Sequence, residues 1–378
     1  MIESLYIRNY RNLDELKIGS LTTVNLVTGK NNTGKSTLLE AIALYATKCD
    51  FGIITQFLAE RGETYQQTSN DKNVTESNIR ALASLFTNRI VDFFPQDAIS
   101  IGVVENDLFG KQNVSEKSIS LRFVKYYEEV VNQNVEPVTR RKRTIIEDEN
   151  VSLIVDYKIG LEVKVGVSSL IMPLEDDRYY NRIGFRSLGS AENFQFIRTR
   201  NLYRDINGRL WDNITLTEKE KYVIDALKII EPLVERIAFI EERTRNRTAV
   251  IKLSNNNSVF PLLSMGDGIN RILTIILALV NSDNGFLLID EFENGLHHSI
   301  QEKLWEIVFN LANKLNVQVF VTTHSEDCIS GFEKVLNHPQ NTVNGKLIRL
   351  DNINGKVKQV EFSREELKIA TDQDIETR

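Results

Sequence analysis

The sequence is poor in several features that would set it apart from ordinary soluble globular proteins. Only two cysteines, Cys49 and Cys328, occur among 378 residues. That is too few for a disulfide framework and fits a reduced, cytoplasmic chain. Positive charge is not in excess: 46 Lys+Arg stand against 52 Asp+Glu, a formal net charge of −6. A whole-chain basic footprint for nucleic acid is thereby excluded, though a local patch is not. Long hydrophobic runs are missing as well. The longest apolar stretch, Ile272–Val280 with one threonine inside it, is far below the ~20 residues that span a bilayer, so no membrane partner is expected. Met1-Ile2-Glu3-Ser4 is not a basic region leading into an apolar core, so no secretion signal is expected. No internal repeat and no low-complexity segment is visible. What remains, 42% hydrophobic and 26% charged residues, is a globular composition, and the length suits two domains or one large domain with an insertion.

The first fifty residues read as α/β. Leu5–Ile7 and Val24–Thr28 are β-prone, and the second run meets Gly29 before a helix over Ser36–Thr47. From about 50 to 180 the pattern changes. Helices are expected near Ile53–Arg61 and Glu76–Phe94. They are followed by an antiparallel meander over Ser118–Tyr127, Arg143–Glu147 and Val151–Val167, with Arg140-Arg141-Lys142-Arg143 in one of its turns. The α/β character then returns. Asn193–Ile197 reads as a strand, and Thr217 with Glu220 as a capping box opening a helix. Thr248–Leu253 and Val259–Leu262 read as a hairpin. Phe286–Ile289 and Val317–Thr322 read as buried strands joined by a helix over Ser299–Lys314, and a last hairpin turns at Asn354-Gly355.

Gly29-Lys30-Asn31-Asn32-Thr33-Gly34-Lys35-Ser36 fits the phosphate-binding string G-x-x-x-x-G-K-[ST] between a strand and a helix. Glycines at the ends let backbone N–H groups of the loop, through Thr37, point at phosphate oxygens, and the following helix adds the positive end of its dipole. Lys35 brings a charge to the outer phosphates, and the Ser36 hydroxyl is a ligand for Mg²⁺. Phe286-Leu287-Leu288-Ile289-Asp290-Glu291 ends a buried strand in two acids. With the loop upstream, Asp290 reads as the second holder of Mg²⁺ and Glu291 as the base facing the attacking water. Leu263-Ser264-Met265-Gly266-Asp267-Gly268 precedes an apolar helix and offers a second anion site. Ser264 and Gly266 there are placed to cap the γ-phosphate held by a facing chain, with Arg271 two turns along on a similar face. His324 follows a buried strand that parallel topology brings to the same ligand edge as Asp290, where it would contact the γ-phosphate. A zinc site from His297, His298 and His324 is the rival reading of the histidines.

The order of these motifs resembles the ABC-type ATPases of the RecF, SMC and OLD kind. Ile7-Arg8-Asn9-Tyr10-Arg11-Asn12-Leu13 is similar to that family's opening strand and turn, and the resemblance implies that Arg11 and Asn12 reach the nucleotide. It further implies ATP as substrate, Mg²⁺ as cofactor and a head-to-tail dimer or higher oligomer. The expected fold is α/β: an ABC-type P-loop ATPase head with a mixed sheet, a β-rich lobe and a helical/β insertion. The head would comprise residues 1–50 and 185–378, the insertion 51–184. The sequence departs from the family at Phe292 and His298, where many relatives have proline. No heptad array for a rod is present. The glutamine loop has two candidates, Gln96 and Gln195.

Nuclease-bearing relatives carry a Toprim metal domain after the ATPase. Asp372-Gln373-Asp374 is formally Asp-x-Asp but reads as an acidic tail, so no nuclease is expected in this chain. The resemblance then points to a nucleotide-gated sensor or scaffold of an anti-phage defence system with a separate, Toprim-like effector nuclease. Ser363–Arg378 would be a docking element or a solvated end. The alternatives are a non-hydrolysing scaffold and a RecF-like, DNA-binding ATPase of repair or recombination. For DNA contact the candidates are the basic segments Arg140–Arg143, Arg198–Arg209 and Arg243–Arg247, with Tyr203 and Trp211 near the second.

Overall fold

A computed structural model of the chain describes residues 1–66, 72–93, 95–106, 112–114, 118–131, 140–147, 156–174, 188, 191–198, 203–241, 247–256, 258–373 and 375–378. In chain order the described strands are β1 (Leu5–Tyr10), β2 (Leu13–Ile18), β3 (Val24–Thr28), β4 (Ile99–Gly102), β5 (Val104–Asn106), β6 (Gln112–Val114), β7 (Ile119–Val131), β8 (Arg140–Ile145), β9 (Lys158–Val165), β10 (Ser168–Pro173), β11 (Phe194–Ile197), β12 (Val234–Glu241), β13 (Arg247–Leu253), β14 (Val259–Pro261), β15 (Phe286–Ile289), β16 (Gln318–Thr322), β17 (Gly345–Ile353) and β18 (Lys356–Phe362). The helices are α1 (Lys35–Ala46), α2 (Phe51–Glu60), α3 (Lys72–Ala83), α4 (Tyr203–Asp212), α5 (Lys219–Ile230), α6 (Asp267–Val280), α7 (His298–Lys314), α8 (Glu326–Asn337) and α9 (Arg364–Asp372).

Helix α1 lies between two sheets, which explains its composition. Every residue from Thr37 to Ala46 is buried, as expected of a helix that is apolar all round. On one side is an antiparallel sheet in the order β10-β9-β7-β4-β1-β2, with β8 also paired to β7. On the other is a sheet in the order β11-β15-β16-β3-β17-β18, parallel throughout except at its β17–β18 edge. Strand alternation divides the parallel sheet between two cores. Val27, Phe286, Leu288, Phe320 and Ile348 face α1 and the antiparallel sheet. Val24, Leu26, Leu287, Ile289, Val319 and Val321 face α6, α7 and α8. A small sheet, β12-β13-β14, packs through α4 and α5 onto α6.

The antiparallel sheet therefore draws on both residues 5–18 and residues 99–173. Three local expectations change. The helix expected to run to Phe94 stops at Ala83, because Phe86 forms a bridge with Tyr10 and Leu85 accepts the amide of Arg11 at 2.8 Å; Phe94 itself lies outside the described residues. Arg140–Arg143 is not a turn but the start of β8, paired with Val131–Glu128 of β7. The cap of α5 is shifted by one residue. Glu220 accepts from the amide of Leu216 at 2.5 Å, and the Thr217 hydroxyl accepts from Lys219 at 3.2 Å. At the other end of the chain, α9 has a full capping box between Ser363 and Glu366 and buries Leu367 and Ala370. Thr28, one residue before the glycine loop, donates its hydroxyl to the carbonyl of Thr377 at 2.6 Å.

Candidate nucleotide site

The glycine loop leaves β3 through Gly29 (φ 136°) and enters α1 through Gly34 (φ 94°), both in the region that only glycine adopts without strain. A Cβ at Gly29 would collide with the carbonyl of Leu350, and one at Gly34 would lie 3.2 Å from the Asn12 amide. The β1–β2 turn is thus seated against the loop. Thr33 is buried and bonds back to the Lys30 carbonyl at 2.9 Å, while Asn31 and Asn32, the latter at φ 62°, are exposed at the tip. Lys35 is 6% exposed, and its amine donates to the carbonyls of Gly29 (2.7 Å) and Lys30 (2.9 Å). Burial pushes that amine down to about 8, against the pull of Asp290, Glu291 and Glu293 in the other direction.

Ser36 faces out at the first turn of α1. Its hydroxyl lies 3.1 Å from Asp290 Oδ1, and the Thr322 hydroxyl donates to the same oxygen at 2.6 Å. Thr322 also accepts the amide of Glu291 at 2.9 Å. The parallel register explains the convergence: Ile289 is level with Val321, so Asp290 and Thr322 leave their strands side by side. One hydroxyl and one carboxylate, both hard oxygen donors, suit a cation that takes its remaining ligands from phosphate and water, which is the habit of Mg²⁺. Among the described residues no cluster of three or more His, Cys, Asp or Glu could hold a metal by itself. The His297 and His298 rings lie against each other, tilted by 37° with centroids 4.1 Å apart, and His297 caps α7 through Ser299. This gives no support to the zinc reading.

Glu291 sits at φ 53°, a left-handed conformation rare for a side chain of its size. It is held there from three sides. Thr322 takes its amide, the next amide (Phe292) bonds to the Thr322 carbonyl at 3.0 Å, and the Arg271 guanidinium donates to the carbonyls of both Asp290 and Glu291 at 3.1 Å. Arg271 is 1% exposed. It does not share a face with Ser264 at the surface, as the spacing suggested. It turns inward from α6 and grips the acidic turn.

Glu293, two residues after Glu291, ties the acidic turn to the histidine turn. Its carboxylate accepts the Thr323 hydroxyl (2.7 Å) and the amide of His324 (2.7 Å), so it fixes the turn that carries the histidine. Burial, then the nearby Lys35 charge, lowers the affinity of the His324 imidazole for a proton, which makes it a neutral hydrogen-bonding group at neutral pH. Ser264 lies on a short 3-10 turn and bonds to the Pro261 carbonyl at 2.7 Å. Gly266 (φ 102°) is the exposed N-cap of α6 with open space around it.

Ser36, Asp290 and Glu291 open onto a cleft of about 1540 Å³ that Arg11, Asn12, Glu40, Arg61 and Arg198 also line. Lys35 and His324 are not among its lining residues, and neither are Ser264 and Gly266. Asn12 keeps a buried Oδ1 with no partner among the described residues. Arg11 is committed to Glu40 (2.9 Å) at a buried site that Arg61 and Tyr10 share. Neither Gln96 nor Gln195 lines the cleft; Gln195 is mid-strand, opposite Leu287. Of the basic segments, Arg143 is paired with Glu128, Arg198 with Glu60 and Arg247 with Asp212. Trp211 is buried against Phe239. Arg200, Arg243, Arg245, Asp374 and the side chains of Arg140, Arg141, Tyr203 and Arg204 lie outside the described residues.

A strand–glycine loop–helix unit, with the acidic end of a neighbouring parallel strand bonded to its serine, defines a P-loop ATPase, and the added Ser264 and His324 motifs make it one of the ABC kind. The family described as "AAA domain, putative AbiEii toxin, Type IV TA system" matches residues 24–327, and the chain belongs to it. It is 24% identical over 351 residues to a protein of Helicobacter pylori named "ATP/GTP phosphatase", covering 89% of this chain and 88% of that one. An uncharacterised protein of Methanocaldococcus jannaschii is 43% identical over 61 residues, 16% of this chain and 28% of that protein. Among solved structures, an Smc head bound to the C-terminal winged-helix domain of ScpA superposes with a TM-score of 0.49 at 12% identity, over 96% of this chain and 98% of that one. The SMC head of Thermotoga maritima gives 0.43 at 11% identity, over 95% and 98%. No helix among the described residues is long and apolar enough to cross a membrane.

Proposed function

We propose that this ATPase works as a dimeric, nucleotide-gated switch. The nucleotide phosphates lie on Gly29–Thr37, with Lys35 released from its loop carbonyls to meet them and Arg11 and Asn12 flanking. Ser36 and Asp290 would hold Mg²⁺, which would supply neutralising charge to the transferred phosphoryl group. Glu291 accepts the proton of the attacking water, and His324 contacts the γ-phosphate. Ser264 and Gly266 of a second copy close the site. The observation that carries this reading is the Arg271 grip. The helix whose N-terminus bears Ser264 and Gly266 is bonded directly to the turn that bears Asp290 and Glu291, so closure on a partner's nucleotide and positioning of the base are one movement.

The test is Glu291→Gln with ATP, followed by light scattering on a sizing column. A dimer that forms with ATP and persists in the variant is the expected result. A monomer under every nucleotide condition overturns the switch.

The movement serves an effector encoded separately, of the Toprim-nuclease or toxin class, in defence against phage. The family's description as a putative toxin of a toxin–antitoxin system supports a partner-controlled device of this sort. Co-purification with the products of adjacent genes, with and without ATP, tests it. A RecF-like DNA-repair role would appear instead as ATP turnover stimulated by DNA alone.

A further inference from the structure

The geometry points to Arg198 as a phosphate-contacting residue of the hydrolytic site, one that exchanges its bond to Glu60 for the terminal phosphoryl group of the bound nucleotide. The inference rests on the reading of Ser36, Asp290 and Glu291 as the metal and water site.

Arg198 directly follows β11, the strand that neighbours β15 in parallel register. The amide of Asp290 bonds to the carbonyl of Ile197 at 2.8 Å. Arg198 and Asp290 therefore leave the sheet together at the C-terminal edge, where parallel sheets bind ligands. Both line the same cleft, together with Ser36 and Glu291.

The guanidinium is held as a preset cation. Its carbon lies 4.5 Å from the Phe57 ring centroid and 4.3 Å from that of Phe196, and those rings meet edge to face. Two aromatic contacts fix the plane of the group without using its donors. One nitrogen, Nη1, pairs with Glu60. The other, Nη2, is buried and has no hydrogen-bond partner among the described residues. Proteins rarely leave such a donor unmet, and an arginine fork has the shape of a phosphate edge. Arg198 lines the cleft onto which the metal-binding pair and the base open, and release of Glu60 would turn its fork toward a phosphoryl oxygen, a partner of matching charge and geometry. Glu60 holds the cation in waiting, so the positive charge reaches the phosphate only when nucleotide enters.

Arg198→Ala and Arg198→Lys, each checked for a cooperative thermal transition, are compared with wild type in three measurements. In steady-state turnover, kcat falls roughly 10²–10³-fold, the range for loss of one transition-state donor, while KM stays within about threefold. In calorimetric titration, the wild type binds ADP with aluminium fluoride more tightly than ADP alone, and both variants lose that preference. Free guanidinium ion, kept well below denaturing concentration, restores turnover to Arg198→Ala and not to Glu291→Gln. Loss of turnover with no rescue and an intact fluoride preference would reduce Arg198 to a packing residue. Wild-type kcat in either variant would also overturn the proposal. If Arg198→Ala fails to fold, Arg198→Lys, which keeps the charge and stem, decides through the fluoride preference. If Ser36→Ala and Glu291→Gln themselves leave hydrolysis intact, the reading of the site falls; if they abolish it and Arg198→Lys does not, the Arg198 proposal alone falls.

Discussion

The indole of Trp305 stacks on the Phe292 ring at 4.2 Å between centroids and 20° between planes. Phe292 is the residue after Glu291. Trp305 also donates its N–H to the carbonyl of Cys328 at 3.0 Å, on the helix that opens just after His324. A single buried side chain on α7 thus touches the residue after Glu291 and the first turn of the helix that follows His324. The stacked aromatic pair braces this turn from the core side.

Phe292→Ala should therefore cost about 3–5 kcal/mol of stability by leaving a cavity beside Trp305, and it should lower turnover as well. Phe292→Leu keeps much of the volume and should lose less. Urea unfolding and steady-state hydrolysis on the same preparations check this. Full activity in a destabilised Phe292→Ala would mean that the turn is held by Thr322 and Arg271 alone.

Lys35→Ala should abolish nucleotide binding, since it removes the one buried cation of the loop. The wild-type amine also predicts a pH effect. With its pKa pushed down to about 8 from 10.5, the folded chain holds fewer protons than the unfolded one between those values. The cost of burying the charge is complete below pH 8 and fades as pH rises through that window, so this group makes the nucleotide-free protein more stable toward alkali. Nucleotide reverses the preference, because phosphate binds the charged form. Above about pH 8, binding must take up a proton and weaken by up to about tenfold per pH unit. Calorimetry in buffers of different ionisation enthalpy measures the uptake; buffer-independent heats near pH 9 would contradict it.

Glu293→Gln should lower kcat with little change in KM. The amide oxygen can still accept from His324, but the NH₂ can only donate to the Thr323 hydroxyl, which already accepts the Ser325 amide, so the clamp loses its charge-assisted bonds. Glu293→Ala loses both and should be worse. A pair of variants with equal, unchanged kcat would show that the His324 turn needs no clamp.

Much of this site is local in sequence, and that part was legible. The glycine loop, the acidic strand end and the histidine turn are each written in fewer than ten consecutive residues, and flanking β-runs tell which elements they join. Other parts depend on packing between distant segments. Arg271 looked like a surface partner of Ser264 because helical spacing fixes only an angle, not which side meets the core. Glu293 and Thr322 act through parallel register, which no spacing along one strand reveals. Arg198 lay among arginines that balance an acidic chain, and only the pairing of β11 with β15 singles it out. The basic run Arg140–Arg143 read as a turn because charge dominated its pattern, yet β7 supplies Glu128 and Glu129 opposite it.

The last prediction concerns action between two copies. Ser264 is exposed on its 3-10 turn, Gly266 has open space around it, and neither lines the cleft of its own chain. Ser264→Arg should leave nucleotide binding intact, since the exposed Ser264 does not line the cleft of its own chain. It should block hydrolysis, because a bulky cation at the closing surface keeps the partner's nucleotide uncovered. Lys35→Ala fails for the opposite reason: its own loop is empty, but its Ser264 is sound. Mixed, the two proteins form a dimer in which the intact loop of the first faces the intact Ser264 of the second. One of its two sites is complete. Turnover should therefore reappear on mixing, at no more than about half the wild-type rate per dimer if the sites act independently, and should vanish on dilution below the dimerisation range. Two inactive proteins that stay inactive together, while each still forms dimers, would show that both sites must fire in concert. Hydrolysis by wild type at unlimited dilution would show that the site is complete within one chain, and Ser264 would then have no part in it.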